Sequence, residues 1–323
     1  MNFVTKALEA GGSIHALTIP PHMTSGTGLF NPSVYKDGNE LLVNIRHCQY
    51  TIYHAEKGKY EHQWGPLTYL CPEDDMTLTT VNFIGKLDPD TLELTEVNRV
   101  DTSLLDVKPI WEFVGLEDGR LVRWENRLYM YGVRRDTTTN GTGRMEQSEI
   151  VENREVSRWR IPAPGDDNVY CEKNWMPIID MPWHFIKWSN PTEVVKIDPV
   201  NRTCVIIHAQ RPDKYVPFPY DWRGGSHVIP FGEYRIAICH LLTFFGKSEV
   251  GRKDAQYRHG FVVWDKDWNV VKYSEIFSFM DAQIEFCCGI CEHNGKYLIS
   301  FGFQDNAAFL LEVPKRVIEE YVL

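Results

Sequence analysis

Apolar and polar positions alternate in short runs along this chain, and helical spacing is almost absent. The one stretch with helical character is the tail at 315–321. Elsewhere the runs are rich in β-branched and aromatic residues and stop at Gly, Asn, Asp or Pro, which predicts strands joined by tight turns. One hairpin recurs: residues 34–37, a turn at Gly38, then 41–46. It returns as 121–124, Asn126 and 128–133; as 175–179, Met181 and 184–188; as 227–230, Gly232 and 234–240; and as 289–292, Gly295 and 297–301. A second hairpin, with Asp at its turn, alternates with the first: 85–88 into 92–97, 194–198 into 204–208, and 261–265 into 270–277. The copy expected between Arg144 and Gly165 is degenerate.

Two hairpins make a four-stranded sheet, and the first type recurs about every 64 residues, a period that signals a repeat architecture. Five such sheets cannot each bury both faces alone, so they stack radially. The pattern therefore predicts an all-β, five-bladed β-propeller. A two-sheet sandwich gives no reason for five copies at this period. One domain is expected over 1–323, with a polar insertion at about 136–167, serving as a lid or a subunit contact, and a short C-terminal tail at 315–323.

Composition narrows the function. Of 323 residues 43% are hydrophobic and 24% charged, which excludes a disordered, collagen-like or coiled-coil chain. Asp and Glu outnumber Lys and Arg by 44 to 34, which argues against nucleic acid as a partner. No apolar run approaches the ~20 residues of a membrane helix, and the first 20 residues lack a basic start followed by an apolar core. A cytoplasmic protein with no membrane association is the expectation, and its eight scattered cysteines are read as reduced thiols. Cys287, Cys288 and Cys291 with nearby His293 resemble half a zinc site, but no second pair stands at matching spacing, so they are read as small buried residues and no metal is expected. The pairs Asp88/Asp90 and Asp265/Asp267 are read as turn chemistry, and the acidic run Glu73-Asp74-Asp75 as a solvated loop.

The polar residues recur in phase with the repeat. Equivalent offsets in equivalent blades place side chains at equivalent heights around the axis, so Asn31, Arg46, Asp118, Arg120, Arg134, Lys173, Asn174, His240 and Asp305 are expected to converge on one mouth of the central channel. Buried charge is costly unless paired or used. Glu117-Asp118-Gly119-Arg120 sets two carboxylates and a guanidinium side by side. Trp111, Trp175, Trp183, Trp188 and Trp222 are candidate stacking platforms for a sugar ring. Against Glu117, Asp118 and Asp305 stand Arg46, Arg134, Arg135, Lys173 and His240, a local cation excess in an acidic chain. Such a mouth suits phosphate or a sugar phosphate. A glycosidase by inversion needs an acid and a second carboxylate to activate water, whereas a phosphorylase replaces that base with phosphate held by cations.

Several motifs resemble those of glycoside hydrolase family 130, the β-mannoside phosphorylases. Phe30-Asn31-Pro32-Ser33 with a strand ending at Arg46 resembles the opening motif; Glu117-Asp118-Gly119-Arg120 resembles Glu-Asp-Pro-Arg; Lys173-Asn174 with Pro177 resembles Lys-Asn. Gly224-Gly225 through His240 resembles the Gly-rich strand that ends in Tyr-His, and Phe301-Gly302 to Asp305 the closing Tyr-Gly-x-x-Asp strand. The resemblance runs in order over about 28–314. It implies a five-bladed propeller acting on β-mannosides with inversion, by phosphorolysis to a sugar 1-phosphate. Asp118 would be the general acid, acting through a sugar hydroxyl. Asn31, Arg46, Glu117, Arg120, Asn174 and Asp305 would line the sugar subsite. Lys173, His240 and one of Arg134 and Arg135 would hold inorganic phosphate as co-substrate, with no cofactor. Related mannosyltransferases share the fold. Two departures stand out: Gly119 replaces Pro, and Cys239-His240 replaces Tyr-His, removing a hydroxyl. The alternatives are an inverting hydrolase using Glu117, Glu172 or Glu285 as base, a mannosyltransferase, and a non-catalytic carbohydrate-binding propeller.

Overall fold

The computed structural model describes residues 2–24, 28–48, 50–51, 68–69, 78–164, 171–210, 222–247 and 253–322. Five sheets, antiparallel along their main strand order, form the five blades of a β-propeller. Blade 1 runs Leu29–Asp37, Glu40–Cys48, Leu78–Leu87 and Leu94–Arg99 from axis to rim. Blade 2 runs Glu117–Trp124, Arg127–Arg134, Arg144–Val151 and Arg154–Arg160. Blade 3 is Met176–Pro177, His184–Ser189, Thr192–Asp198 and Thr203–Ala209. In blade 4 the inner position is shared by Trp222–Arg223 and Ile229–Phe231, followed by Tyr234–Lys247, Lys253–Trp264 and Val270–Tyr273.

Blade 5 takes three strands, Glu285–His293, Lys296–Phe303 and Ala307–Pro314, from the C-terminal end. Its rim strand is Ser13–Leu17, which pairs antiparallel from Ser13 opposite Glu312 to Leu17 opposite Ala308. The ring is thus closed by a strand nearly three hundred residues away in sequence. Two short helices, Phe3–Glu9 and Lys315–Val322, cover the adjoining core, with Phe3 packed against Phe261, Phe277 and Tyr321 at 4.7–5.1 Å between ring centroids. The tail read as helical is the second of these.

Turn chemistry follows the sequence. Glu125-Asn126, Glu152-Asn153 and Asn294-Gly295 hold positive φ at both central positions, the geometry of two-residue hairpin turns that matches strand twist. Asp88 and Asp265 cap their turns by accepting main-chain N–H bonds of 2.8–2.9 Å from the residues that follow.

The span expected as an insertion at 136–167 carries the two outer strands of blade 2 instead, the fourth copy of the Asp-type hairpin position. Its sequence hides this because many of its buried residues are polar or charged. Arg144, Glu146, Gln147, Ser148 and Glu155 are all buried. Residues 165–167 and the run Glu73-Asp74-Asp75 lie outside the described residues.

Tryptophans seal the blade interfaces. Trp175, Trp222 and Trp264 are fully buried, so Trp175 and Trp222 serve as core and not as open platforms. Trp183 packs on Trp124 and Tyr129. Cys239, Cys287 and Cys291 are buried thiols pushed up to about 12 by desolvation, and Cys288 rises well above the usual range for the same reason.

Candidate active site

The inner strands do not run straight past the axis. In blade 1 the register jumps from Phe30 opposite Arg46 to Ser33 opposite Asn44, leaving Asn31-Pro32 as a bulge. In blade 2 it jumps from Tyr131 opposite Arg120 to Val133 opposite Glu117, so Asp118-Gly119 bulges. Bulges re-aim side chains and recur beside active sites. Here they turn Asn31 and Asp118 toward each other. Both hold left-handed backbone, φ 47° and 52°, as do Asn174 at 62° and Asp305 at 47°. Asn and Asp tolerate that region better than other non-glycine residues. Four of the residues expected at the mouth thus share one unusual backbone state.

Close packing enforces it. A Cβ on Gly302 would lie 2.2 Å from Asn31 Oδ1 and 2.6 Å from Asn31 N, so blade 5 accepts Asn31 only with glycine there. A Cβ on Gly119 would meet the Met130 side chain at 2.5 Å, so the bulge packs closely on the neighbouring strand. Beneath, Asn44 Nδ2 donates to Gly119 O (2.9 Å) and to Asn82 Oδ1 (3.0 Å), and Asn82 Nδ2 donates to Leu116 O (2.8 Å). This amide ladder fixes both ends of the Leu116–Gly119 turn.

At the mouth, Asp118 Oδ1 accepts from Asn31 Nδ2 at 2.8 Å and from Arg46 Nη1 at 2.9 Å. Arg46 Nη2 lies 3.5 Å from Glu117 Oε2, and Arg135 Nε lies 3.5 Å from Glu117 Oε1. Arg46 is 6% exposed, donates to Thr80 Oγ1 at 3.2 Å and stacks over Phe30. Burial pushes the Asp118 carboxyl up, but Arg46, the Asn31 hydrogen bond and Arg120 outweigh it and hold the group below the usual carboxylate range. Asp305 differs. Burial raises it to about 6, against the pull of Arg46, with repulsion from Asp118 and Glu117 adding to the rise and Lys173 opposing it.

His240 donates from Nδ1 to Gly224 O at 2.9 Å, because a carbonyl only accepts, so Nε2 carries the lone pair. Burial, with His259, Lys173 and Arg223 nearby, holds the imidazole well below its usual range, and the ring stays neutral. It stacks on Tyr257 at 5.5 Å. Burial and the fields of Asp305 and Asp118 raise the Tyr257 hydroxyl above its ordinary range, with Arg223 opposing.

Of the expected residues, Asn31, Arg46, Glu117, Asp118, Lys173, His240 and Asp305 fall within contact or electrostatic reach of one another. Arg135 joins them through Glu117. Arg120 lies below: Nε donates to Gly225 O (2.7 Å) and Nη1 to Asp118 O (3.0 Å), so it pins blade 2 to blade 4 under the acid. Arg134, expected at the anion site, is 3% exposed and turned into blade 2. There it pairs with Glu146 at 2.9 Å, Asp136 at 3.5 Å and Glu155 at 3.7 Å. Successive strand residues face opposite sides, so Arg135 reaches the mouth and Arg134 cannot. Asn174 stands on the rim of a groove of about 340 Å³ lined with Lys173, Lys187, Trp188 and Arg223.

Sequence reasoning missed Tyr257. It assigned the lost hydroxyl to Cys239, but that side chain points into the blade core toward Met176. The hydroxyl at the mouth comes from the next strand, where Tyr257 is opposite Leu242. Its signal was available: Tyr257 stands four residues before the buried run 261–264, on the outer, channel-ward half of its strand. Two carboxylates considered for activating water are occupied. Glu285 accepts three main-chain N–H bonds from Phe279, Met280 and Ala282, and Glu172 is held by Trp175 Nε1 and Lys187.

No protein-family model matches the chain, and no curated protein matches it in sequence. Solved structures do match in shape. The likeness is to mannoside phosphorylases and hydrolases. A β-1,2-mannobiose phosphorylase from Listeria innocua, in complex with β-1,2-mannobiose, aligns over 95% of this chain and 93% of its own with TM-score 0.56 and 12% identity. A mannose phosphorylase from Leishmania mexicana, in complex with phosphate, aligns over 99% and 95% with TM-score 0.53 and 11% identity. A structure from the glycoside hydrolase family 130 study of hydrolases that target β-1,2-mannosidic linkages in Candida mannan aligns over 90% and 85% with TM-score 0.57 and 12% identity. At such identities the likeness establishes the shared propeller.

Proposed function

We propose that the protein is a carbohydrate-active enzyme that cleaves or forms β-mannosidic bonds with inversion, by phosphorolysis to a sugar 1-phosphate. The observation that carries this reading is the carboxylate knot of Asp118 with Asn31 and Arg46, set beside Lys173, Arg135, His240 and Tyr257 at one opening. The shared fold with mannoside phosphorylases supports it.

In this reading Asn31, Arg46 and Asp118 bind the reacting sugar, and Asp118 holds the hydroxyl through which the leaving oxygen is protonated. Phosphate enters on the opposite face. Lys173, exposed and without a partner among the described residues, meets its charge together with Arg135. The neutral His240 offers a lone pair to the phosphate O–H, and Tyr257 donates to a phosphate oxygen. Phosphate oxygen then attacks the anomeric carbon as the glycosidic bond breaks, and its electron pair leaves on the departing oxygen. Phosphorolysis is favoured over hydrolysis because Glu172 and Glu285 are locked in structural bonds and Glu117 is clamped between two guanidiniums.

The test is incubation with a panel of β-mannosides with and without inorganic phosphate, scoring sugar 1-phosphate. Phosphate-dependent release is expected. Equal turnover without phosphate would replace this reading with hydrolysis. Sugar binding without turnover would replace it with a binding propeller.

A further inference from the structure

Glu285 is the first residue of the inner strand of blade 5 and is fully buried, yet no cation pairs with it among the described residues. Its carboxylate holds the loop that precedes it. Oε2 accepts from Phe279 N at 2.6 Å, and Oε1 accepts from Met280 N at 2.7 Å and from Ala282 N at 2.9 Å. Three converging N–H donors need oxygens that only accept, which a carboxylate supplies and an amide does not. A buried carboxylate is costly unless it is used, and this one shapes a loop between blades 4 and 5. On the blade 4 side, Phe277 and His259 exchange two main-chain bonds of 2.8 Å, Tyr257 N donates to Gln283 O at 2.9 Å, and Arg258 Nη1 donates to Ala282 O at 3.3 Å. On the blade 5 side, Gln304 N donates to Ile284 O at 2.8 Å and Ile284 N donates to Gln304 Oε1 at 3.1 Å. Side chains alternate along a strand, so Phe286 faces the other way from Glu285. Its ring lies edge-on to His240 at 4.9 Å and to Tyr257 at 6.5 Å, and those two rings stack on each other at 5.5 Å.

Resting on the phosphorolytic reading, we propose that Glu285 is a positioning residue for the phosphate co-substrate: it fixes the 277–284 loop, the loop fixes the main chain of Tyr257, and Tyr257 with Phe286 fixes the His240 ring. Glu285 itself touches neither sugar nor phosphate. Its influence is directional. The loop is bonded to Tyr257 and His259 of blade 4, while Asn31, Arg46 and Asp118 belong to blades 1 and 2, to which the loop makes no hydrogen bond among the described residues. The Gln304 bond touches the sugar wall through one residue, so the loss on cutting the loop falls chiefly on phosphate. A misplacement of ~1 Å can cost ~100-fold in rate, so a modest shift of the loop is enough to be measured.

The experiment uses the full chain as wild type, Glu285→Gln, Tyr257→Phe and the double variant. Gln keeps the size of Glu but turns an N–H2 group against one of the three donors. Calorimetric titration with inorganic phosphate gives Kd without turnover, and steady-state rates with an active β-mannoside give the two KM values. Glu285→Gln should raise the phosphate Kd and KM about tenfold or more and change the mannoside KM less than about threefold. Because Glu285 acts through Tyr257, the loss in the double variant should fall short of the product of the two single losses. The full product, or a mannoside KM that rises as much as that of phosphate, overturns the proposal. Glu285→Asp keeps the carboxylate one methylene short and should give a smaller loss in the same direction, which keeps the test open if Glu285→Gln does not fold. Ile197→Ala, in the buried core of blade 3, should lower the melting temperature and leave phosphate binding as it is. If it weakens phosphate as much as Glu285→Gln does, general loosening explains the effect and the proposal falls. Wild type that binds phosphate as tightly as folded Glu285→Gln and Glu285→Asp overturns the proposal alone. Wild type that binds no phosphate and turns over equally without it overturns the phosphorolytic reading and this proposal with it.

Discussion

Replacing Arg46 by Met tests the electrostatic centre of the molecule. Met keeps much of the apolar stem and its contact with Phe30, so the change isolates the guanidinium. In wild type that group sits 2.9 Å from Asp118 and 3.5 Å from Glu117 at 6% exposure. Unit charges about 4 Å apart at an effective dielectric near 20 interact by ~4 kcal/mol. Removing one partner of a buried ion pair costs about 3–5 kcal/mol for the same reason. Arg46→Met should therefore lose about 4 kcal/mol of unfolding free energy at pH 8.

The sign of the pH dependence follows from the two carboxyls. Asp118 is depressed in the folded protein, so its stabilisation is present above its unfolded value of 3.8 and fades as pH falls through the lower folded value. Without Arg46 that depression is lost, and Asp305, which Arg46 also pulls down, rises further above its present value of about 6. The variant's carboxyls therefore take up protons at higher pH than those of wild type, and acid relieves their repulsion. The deficit should be full at pH 8 and much smaller at pH 5. Urea denaturation at the two pH values, with equal slopes, measures it. A deficit under about 1 kcal/mol at pH 8, or one that is the same at both pH values, refutes the argument that the pair is buried and ionised. Adding Asp118→Asn to Arg46→Met should recover part of the loss, a coupling of ~2 kcal/mol or more.

Lys173→Ala should raise the KM for phosphate at least tenfold with a smaller change in kcat, and equal KM values in a steady-state assay would remove Lys173 from the anion site. Gly302→Ala forces a Cβ onto the Asn31 backbone at 2.6 Å, so it should cost about 1–3 kcal/mol and more than tenfold in activity; a variant with wild-type melting and turnover would show that the blade contact is soft. Deleting residues 1–18 removes the rim strand of blade 5 and the buried Phe3, Val4, Ala7 and Leu17, which bury ~1.5–3 kcal/mol per larger side chain. The shortened chain should melt far below the full one by calorimetry, and an unchanged melting temperature would mean the ring closes without it.

The propeller was legible because each blade carries an apolar run in its inner two strands that ends in turn residues. Where a blade interior is built from ion pairs, that signal fails. The outer strands of blade 2 bury Glu146 and Glu155 against Arg134, so the pattern there reads as a polar insertion where there is a hairpin. The closing strand Ser13–Leu17 was illegible for another reason. Its partner is the far end of the chain, and no local pattern announces a pairing across that separation.

The site shows the same division at finer scale. Asn31, Asp118, Asn174 and Asp305 were found by counting from turns, and the structure gives the physical reason the counting worked: each is a left-handed residue of a type that tolerates that backbone. Counting could not tell Arg134 from Arg135. The extra residue lies in the inner strand, and the strand that carries Arg134 pairs without a break from Leu128 opposite Ile150 to Arg134 opposite Arg144, so plain alternation turns Arg134 into the blade and the next residue to the channel. A deletion at Gly119 that restores regular pairing should therefore displace Asp118 and abolish turnover while the protein still melts cooperatively; wild-type turnover would show that the bulge does not aim the acid.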